Sequence, residues 1–377
     1  MKLVMITTYA TPRNVRRELL EAVAARGHEV VVVSPEPRER MEPVLAELGA
    51  RYHQWSVNRT GIDPREDLPA AYRLVSILRA ERPDVVLVYQ IKAVLLAPIA
   101  AKLARVPRVV ALVNGLGAVF DDHGFGRTRK AKLARLAYGI SLQALDEVVF
   151  QNPDDPALLQ SLGLLRRRTR WRVVPGTGVD ITKLSATPPH LDPPTFTLVS
   201  RLLVSKGVRE LVSAARTIRT RYPGTRFRLV GQLEADGHPD GIRRPELDGW
   251  IAEGLVEYLG FTNDIAGVLR TTTAFVLPSY YREGIPRTNL EALATGRPII
   301  TTDWVGCRET VVDGVNGFLV EPKDVAALAD RIERYLRNPS LVEEHGRKSR
   351  ELAENRFDIR AVNELMLDAL ALSRTSS

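Results

Sequence analysis

Residues 275–296 have the sequence FVLPSYYREGIPRTNLEALATG, which combines three local signals in one short segment. A buried strand is expected to end at Pro278, and the loop after it carries Glu283. Proline is well placed in a first helical turn, so we expect a helix to begin near Pro286 or Arg287. The segment therefore predicts one strand–loop–helix unit of an α/β domain.

Short β-branched runs alternate with longer helical patterns on both sides of this unit. In the first half, a strand over Leu3–Thr7 precedes a helical pattern over 14–26, and Gly27 separates that helix from a strand over 29–34. The alternation begins again with a strand over 195–200 and a helix over 208–222. Further strands are predicted over 85–89, 109–113, 147–150, 227–230, 257–259, 274–277, 298–302 and 318–320, and further helices over 324–336 and 359–372. This repetition favours parallel sheets with helices on both faces.

A break in the alternation divides the chain. Two glycines within 175–180 and a proline-rich run over 187–194 predict a hinge and a linker. A chain of 377 residues also exceeds what one hydrophobic core usually serves. We predict two Rossmann-like, doubly wound domains over 1–178 and 179–355 that face a central cleft, and a C-terminal helix over 356–377 that packs back toward the first domain. Ligands are expected where the carboxyl ends of the strands face that cleft.

Composition limits the classes to which the chain can belong. The single cysteine, Cys307, excludes an internal disulfide framework and fits a reducing compartment. No window approaches the roughly 20 apolar residues of a membrane span, and the apolar run after Met1 is too short for a secretory signal. We therefore expect a cytoplasmic protein. The net charge of +8 suits anionic partners, including nucleic acid, anionic lipid and phosphorylated small molecules, without choosing between them.

Two glutamates, Glu283 and Glu291, flank the predicted helix start. The free N–H groups of a first helical turn and the helix macrodipole form an anion site suited to a diphosphate, and Gly284 allows close approach of the backbone. Each carboxylate is placed to accept hydrogen bonds from hydroxyls at one end of a sugar nucleotide. Such a pair alone is more often solvated surface, but the strand end, the glycine and the helix start around it favour a binding site.

These residues resemble the signature of the retaining GT-B glycosyltransferases of family 4. Glu283 and Glu291 match its E-x7-E pattern, and the flanking 278–279 and 290–292 agree with it. The resemblance continues through 296–300, 306–309 and 316–318, and it covers the C-terminal half better than the N-terminal half. It implies a metal-independent glycosyltransferase of GT-B fold. The first domain would bind the acceptor and the second a nucleotide sugar, a UDP-sugar, with no further cofactor.

The resemblance also implies roles for individual residues. Arg201 and Lys206 lie in the loop SRLLVSKG over 200–207 and would clamp the donor diphosphate, although a solvated loop remains the alternative for these cations. Glu283 would contact the transferred sugar and Glu291 the ribose. The predicted catalytic residues are Asn114, Arg201, Lys206 and Glu283. The other predicted donor-binding residues are Gly231, Phe261, Gly284, Ile285, Thr288, Asn289, Leu290 and Glu291.

The N-terminal half departs from the family pattern. Its first loop, over 8–14, lacks the glycine pair that many members have. Asn114 stands where many members have a histidine, and asparagine can hydrogen-bond a hydroxyl but cannot take a proton. His123 is a candidate substitute, although a lone loop histidine is more often incidental.

Several strings are similar to one subgroup, whose members extend glycans on undecaprenyl-diphosphate carriers: 114–117, 150–155, 281–287 and 306–310. A lipid-linked acceptor would bring the chain to the inner face of the cell membrane. A helix after residue 127 carries basic and aliphatic residues that are typical of a helix lying on anionic lipid: Arg127, Arg129, Lys130, Leu133, Lys132, Arg135, Leu136, Ile140 and Leu142. A second basic cluster spans 166–170. The alternative is a solvated helix whose leucines pack inward.

The predicted reaction moves a hexose or N-acetylhexosamine from a nucleotide diphosphate to a glycan acceptor with retention, in bacterial polysaccharide or glycoconjugate assembly. No D-x-D triplet occurs in the sequence, so no metal is expected and no nucleic-acid partner is invoked. Three alternatives remain open: a small soluble acceptor, a sugar-nucleotide epimerase of the same architecture, and a non-catalytic nucleotide-sugar sensor. The histidine-poor N-terminal loops argue against the epimerase.

Overall fold

The computed structural model describes residues 1–10, 15–58, 63–120, 126, 128–235 and 237–373. The predicted loop residues 11–14, His123 and Arg127 lie outside the described residues. The chain divides into two compact units, the first formed by Met1–Val174 together with the segment from Arg360 onward, the second by Pro175–Ile359.

The two boundaries between the units differ by a few residues from the predicted limits of 178 and 355. The reason is backbone pairing within the second unit. Val179 N donates to Phe357 O at 2.8 Å, and Ile359 N donates to Val179 O at 3.0 Å. These bonds hold the predicted hinge residues and the segment before Arg360 in the second unit.

The first unit contains a parallel sheet with helices on both faces. Its described elements are β1 (Lys2–Thr7), α1 (Arg17–Ala24), β2 (Glu29–Ser34), α2 (Arg38–Ala46), β3 (Arg51–Gln54), α3 (Pro64–Glu81), β4 (Val85–Tyr89), α4 (Ile91–Leu103), β5 (Arg108–Val113), α5 (Arg129–Leu142), β6 (Glu147–Phe150), α6 (Asp154–Ser161) and β7 (Arg170–Val173). In the described part of this unit, the sheet order is β3-β2-β1-β4-β5-β6-β7. Successive side chains of β1 point to opposite faces of the sheet, and each face has its own core. Val4 and Ile6 pack against α3 to α6, while Leu3 and Met5 pack against α1 and α2.

Helix α5 is the predicted basic helix, for which one alternative was inward packing of its leucines. Leu133, Leu136 and Ile140 are all more than half exposed, whereas Tyr138 and Leu142 are buried. Most of the large aliphatic side chains of α5 therefore point to solvent instead of packing inward. Among the described residues, no helix combines the length and the apolar character that crossing a bilayer requires.

The second unit repeats the doubly wound arrangement. Its described elements are β8 (Thr195–Val199), α7 (Val208–Arg221), β9 (Arg226–Val230), α8 (Arg244–Ala252), β10 (Glu257–Tyr258), α9 (Ile265–Arg270), β11 (Ala274–Leu277), α10 (Arg287–Ala294), β12 (Ile299–Thr302), β13 (Gly317–Val320), α11 (Val325–Arg337) and α12 (Pro339–Leu352). All described strand pairs are parallel, in the order β10-β9-β8-β11-β12-β13. The prediction of two doubly wound α/β domains is confirmed.

The last helix, α13 (Ile359–Ala369), completes the first unit. Its residues Met366 and Leu367 are fully buried in the core that also contains Leu19 and Leu20 of α1. Arg108 Nε donates to the carbonyl oxygen of Ala369 at 3.0 Å, which satisfies one acceptor at the end of the helix. The first unit therefore has part of its core supplied by the C-terminal segment.

This dependence predicts the effect of trimming α13. Met366→Ala leaves a cavity in a closed core and should lower stability by about 2–5 kcal/mol. Leu365→Ala, one residue earlier on the same helix, changes a side chain that is 42% exposed and should cost little. Thermal unfolding followed by circular dichroism measures both variants. Equal melting temperatures for the two would contradict the assigned packing of α13.

Candidate active site

The carboxyl edge of the second sheet gathers the predicted site residues. β8 and β11 are neighbours, yet the chain leaves β8 toward β9 on one side and leaves β11 toward β12 on the other. The loops after these two strands therefore separate and leave a crevice at the topological switch point, where ligands of open α/β sheets bind. Lys206 follows β8 and Glu283 follows β11, so the two residues stand on either side of this switch point.

Lys206 and Glu283 form an ion pair. The Lys206 ammonium donates to Oε1 of Glu283, and it also lies 5.3 Å from the centroid of the Tyr281 ring. Lys206 is buried, and 17% of the Glu283 side chain is exposed. Burying two charges costs several kcal/mol of desolvation per ion unless close pairing offsets it. The pair therefore places one cation and one anion, with fixed positions, at the sheet edge.

Helix α10 begins beside this pair. Pro286 is its N-cap residue, and no side chain caps the terminus. The carbonyl oxygen of Pro286 accepts from the N–H groups of Asn289 and Leu290 at 3.1 and 3.3 Å. In the described part of the chain, the N–H groups of Arg287 and Thr288 have no acceptor. The predicted helix start is thus in place, with two backbone donors at the positive end of the helix dipole.

The side chains of α10 that were predicted to bind the donor are mostly buried. Glu291 is 5% exposed, and its Oε1 accepts from Arg287 Nε at 3.2 Å. Asn289 is fully buried and donates from Nδ2 to Thr310 Oγ1 at 2.9 Å, while Leu290 packs in the core. Ile285, in the loop before α10, is also part of that core. The side chains of Leu290 and Ile285 therefore face the core, and the buried Oδ1 of Asn289 has no hydrogen-bond partner among the described residues.

Arg201 is held differently from Lys206. Its side chain is 46% exposed and donates from Nη1 to Oε1 of Glu234 at 2.9 Å. Backbone pairing brings the two together, because Leu202 N donates to Gln232 O at 2.9 Å. Glu234 was not predicted from the sequence, although it lies only a few residues beyond the end of β9. Arg201 is therefore a surface cation that is oriented by an acid.

Two glycines allow loops at this edge to approach closely. Gly306 has φ +77°, and a Cβ on it would lie 1.4 Å from the carbonyl oxygen of Gly284. Gly231 has φ +141°, and a Cβ there would lie 1.7 Å from the carbonyl oxygen of Ser200. No side chain fits at either position without moving backbone. The loops after β8, β9, β11 and β12 are thus packed backbone to backbone around the switch point.

The segment predicted to meet the base lies after β10. Gly231 N donates to Gly260 O at 2.8 Å, and the Tyr258 hydroxyl donates to Gly231 O at 2.9 Å. Phe261 is 65% exposed, which is unusual for a phenylalanine without a partner surface. The structure therefore places Phe261 next to Gly231 through Gly260, but no finding tests their contact with a ligand.

Asn114 belongs to the first unit, at the end of β5. Its Oδ1 accepts from Gln151 Nε2 at 3.2 Å and from Arg16 Nη2 at 3.4 Å. These donors fix the orientation of the amide. The predicted contact of Asn114 with the sugar stays a prediction.

Two family models match this chain. The model described as glycosyl transferase 4-like domain matches residues 11–177, and the model described as glycosyl transferases group 1 matches residues 193–338. Together they span most of both units. The chain belongs to the glycosyltransferases.

Relatives and solved structures agree with this assignment. An α-1,3-N-acetylgalactosaminyltransferase from Campylobacter jejuni, named for N,N'-diacetylbacillosaminyl-diphospho-undecaprenol, is 27% identical over 345 residues, or 86% of each chain. An Escherichia coli UDP-Gal:α-D-GlcNAc-diphosphoundecaprenol α-1,3-galactosyltransferase is 28% identical over 71% of this chain and 70% of its own. The crystal structure of Anabaena HepE in complex with UDP superposes with a TM-score of 0.79 at 19% identity, over 98% of this chain and 100% of that one. The predicted GT-B fold is confirmed.

Ser279 is a neighbour of Glu283 whose contact was not predicted from the sequence. It is fully buried, and its hydroxyl has two acceptors, Oε1 of Glu283 at 3.2 Å and the carbonyl oxygen of Ser205 at 3.4 Å. The same hydroxyl accepts from Tyr281 N at 3.3 Å, and Ser279 O accepts from the Thr302 hydroxyl. Ser279 therefore fixes the carboxylate that Lys206 neutralises. Its place directly after β11 was the available sequence signal.

Cys307 lies beneath the same carboxylate. Its sulfur is 3.9 Å from Ser279 O and is fully buried. Burial raises the pKa of the Cys307 thiol to about 12; the negative charge of Glu283 adds to this rise, and Lys206 opposes it. The thiol is therefore protonated at physiological pH and fills space beneath the site.

Removing the Ser279 hydroxyl should loosen Glu283. We expect Ser279→Ala to reduce sugar transfer about 5- to 10-fold, since one buried hydrogen bond contributes ~1 kcal/mol. Affinity for UDP should change little, because Lys206 is unaltered. Initial rates and UDP titration calorimetry separate the two quantities, and Ser213→Ala on the exposed face of α7 is the matched control. Loss of UDP binding with intact turnover would contradict the positioning of Glu283 by Ser279.

The pKa of Cys307 predicts its reactivity. Because the thiolate is the reactive form, the folded chain should resist iodoacetamide at mildly alkaline pH. The unfolded chain in urea should be alkylated at its one cysteine, which serves as the positive control. Mass spectrometry of the intact chain reads both results. Rapid alkylation of the folded chain would show that the segment beneath Glu283 is open.

Proposed function

We propose that this glycosyltransferase moves a hexose or an N-acetylhexosamine from a UDP-sugar to a lipid-linked glycan acceptor, with retention of configuration. The observation that carries the proposal is the Lys206–Glu283 pair at the switch point, beside the uncapped start of α10. One cation, backbone donors and a carboxylate stand together there. A diphosphate and a sugar hydroxyl need these partners.

The donor diphosphate is proposed to lie between the two cations and the helix start. Lys206 and Arg201 would donate to the phosphate oxygens, and the N–H groups of Arg287 and Thr288 would face the same anion. Each cation already has an acidic partner, Glu283 and Glu234 respectively. Donor binding would therefore exchange one anionic partner for another instead of burying a free cation.

The remaining proposed contacts are those with the sugar, the ribose and the base of the donor. Glu283 would accept a hydrogen bond from the transferred sugar, and Glu291, one turn into α10, would accept from the ribose. Gly231 and Phe261 would face the base. The solved HepE structure contains UDP, which supports uridine as the base here.

The chemistry assigned to these residues is stabilisation of the leaving UDP. As the bond between the anomeric carbon and the diphosphate oxygen breaks, negative charge grows on that oxygen, and Lys206 and Arg201 oppose it. In the proposed front-face route, the acceptor hydroxyl attacks the same face, and its proton passes to the departing phosphate. No side chain is required as a base, and no metal enters the proposal.

The acceptor proposal draws on the relatives. The Campylobacter and Escherichia coli enzymes are named for glycans carried on undecaprenol through a diphosphate. A Bacillus subtilis relative is the putative glycosyltransferase EpsD, 27% identical over 82% of each chain. We assign the present chain to bacterial polysaccharide or glycoconjugate assembly at the cytoplasmic face of the membrane.

Substitution of the ion pair tests the donor site. Lys206→Ala should weaken UDP binding about 10- to 100-fold, because a charge-assisted hydrogen bond contributes ~1.5–3 kcal/mol. Glu283→Ala should reduce turnover more than UDP affinity, because its proposed partner is the sugar. Lys348→Ala and Glu351→Ala alter an exposed ion pair of the same unit, 2.7 Å between Nζ and Oε2, and serve as controls.

Calorimetric titration with UDP, initial rates and thermal unfolding of all four variants give the readout. Thermal unfolding identifies any loss that comes from leaving one buried charge unpaired. Parent-like binding and turnover in both site variants would overturn the site assignment.

Labelled donors test the reaction itself. Purified protein is incubated with radiolabelled UDP-sugars and bacterial membrane lipid extract, and the products are partitioned between solvent and water. Label in the lipid fraction is the expected result. Label in a soluble glycoside would assign a small acceptor, an isomerised free donor would assign an epimerase, and tight UDP-sugar binding without turnover would assign a sensor.

A further inference from the structure

Three neighbouring helices of the first unit carry exposed apolar side chains. α3, α4 and α5 cover the same face of the sheet, since each contributes buried residues to one core. Their outward sides expose seven large apolar residues, between 41% and 74% of each side chain: Leu68, Tyr72, Ile99, Leu103, Leu133, Leu136 and Ile140. Clustered exposed apolar side chains mark surfaces that bind a partner or a membrane.

α4 is apolar on the side that faces solvent. Ile91, Leu95, Ile99 and Leu103 recur every four residues, and the first two are partly buried while the last two are exposed. Residues at this spacing share one side of a helix. An ordinary surface helix has charged or polar residues there. The middle helix of the layer therefore lacks the usual solvated side.

α5 has the reverse of the usual amphipathic arrangement. Its inward side consists largely of small residues, Ala131 and Ala134, together with Tyr138, all buried. Its outward side presents Leu133, Leu136 and Ile140 at helical spacing. The helix thus packs on the core through alanines, Tyr138 and Leu142, and directs three of its four long aliphatic side chains to solvent.

Cations surround this apolar surface. Arg129, Lys130 and Lys132 are exposed at the start of α5, and the described residues provide no ion-pair partner for any of them. Neither α4 nor α5 contains an aspartate or a glutamate. α3 exposes Arg73 and one acidic side chain, Glu66, in its first turn. The surface therefore combines aliphatic side chains with unneutralised positive charge.

We propose that the outward sides of α3, α4 and α5 form a docking surface for an anionic lipid bilayer. The aliphatic and tyrosyl side chains would enter the boundary between headgroups and acyl chains, and the cations of α5 would pair with anionic headgroups. A second copy of the chain fits this surface less well. Matching α4 and α5 helices of a second copy would offer no aspartate or glutamate to the three cations of α5, whereas an anionic headgroup would.

This surface deepens the proposed function, on which its biological role rests, by naming the residues that hold the enzyme at a lipid-linked acceptor. The sequence indicated the basic helix α5 and a second basic cluster over 166–170. The exposed apolar side chains in the structure add α3 and α4 to the proposed surface. They also show that Leu133 and Leu136 of α5 are accessible to lipid.

Vesicle flotation tests the docking surface directly. Full-length protein is mixed at low salt with vesicles of phosphatidylcholine alone or of phosphatidylcholine with phosphatidylglycerol, and no acceptor is present. We expect flotation only with the anionic vesicles, and its loss at high salt. The triple variant Leu133→Gln, Leu136→Gln, Ile140→Gln should bind at least about tenfold more weakly, because its side chains no longer favour the interface.

A second variant separates charge from apolar contact. Lys130→Gln with Lys132→Gln should weaken binding about fivefold per lysine. Leu365→Gln on α13 and Lys348→Gln on α12 remove an exposed leucine and an exposed lysine elsewhere and should bind like the parent. UDP titration confirms that every variant keeps its fold and donor site.

Parent-like flotation of the triple variant would overturn the docking surface. A dimer in light scattering that the same variant dissociates, with no binding to either vesicle, would overturn it in favour of a second copy. Failure of the docking surface and failure of the proposed function are distinguishable. Vesicle binding without sugar transfer rejects only the function, and transfer to extracted lipid by a chain that ignores vesicles rejects only the surface.

Discussion

The order of strands in the second sheet is the constraint on which the proposed donor site depends. Because β8 and β11 lie side by side while their following connections diverge, the loops after them separate at one edge. Lys206 and Glu283 meet across that separation as a largely buried ion pair. Desolvation makes such a pair costly for stability alone. The ion pair is therefore better explained as a way to place opposite charges at a ligand crevice than as a contribution to stability.

Much of this arrangement was predictable from local sequence. The apolar run before Pro278 predicted the bounds of β11 correctly. Pro286 predicted the start of α10 within one residue. Strong signals of this kind come from β-branched runs and from proline, whose effects are local. Short or polar elements such as α2, β3 and α8 were not predicted, because tertiary packing stabilises them.

Side-chain partnerships were much less predictable than elements. Glu283 and Lys206 were each identified, but their mutual pairing depends on two strands that are distant in sequence and adjacent in the sheet. Glu234 was missed as the partner of Arg201 for the same reason, whereas Ser279 is only four residues from Glu283 and was missed although it directly follows β11. The bond from the Asn289 amide to Thr310 was likewise not predictable, and the donor contact that the resemblance implies for Asn289 stays a prediction. The structure was also needed to identify the exposed side chains of α5, because helical periodicity alone does not show which side of a helix faces the core.

The return of the chain to the first unit makes the second unit an insertion within it. Residues 175–359 form a complete body between two parts of the other, and the core beside α1 includes Met366 and Leu367. During synthesis on the ribosome, the second unit emerges whole before the first has all of its core. The second unit can therefore fold first, and an apolar face of the first unit stays uncovered until the final helix has been made.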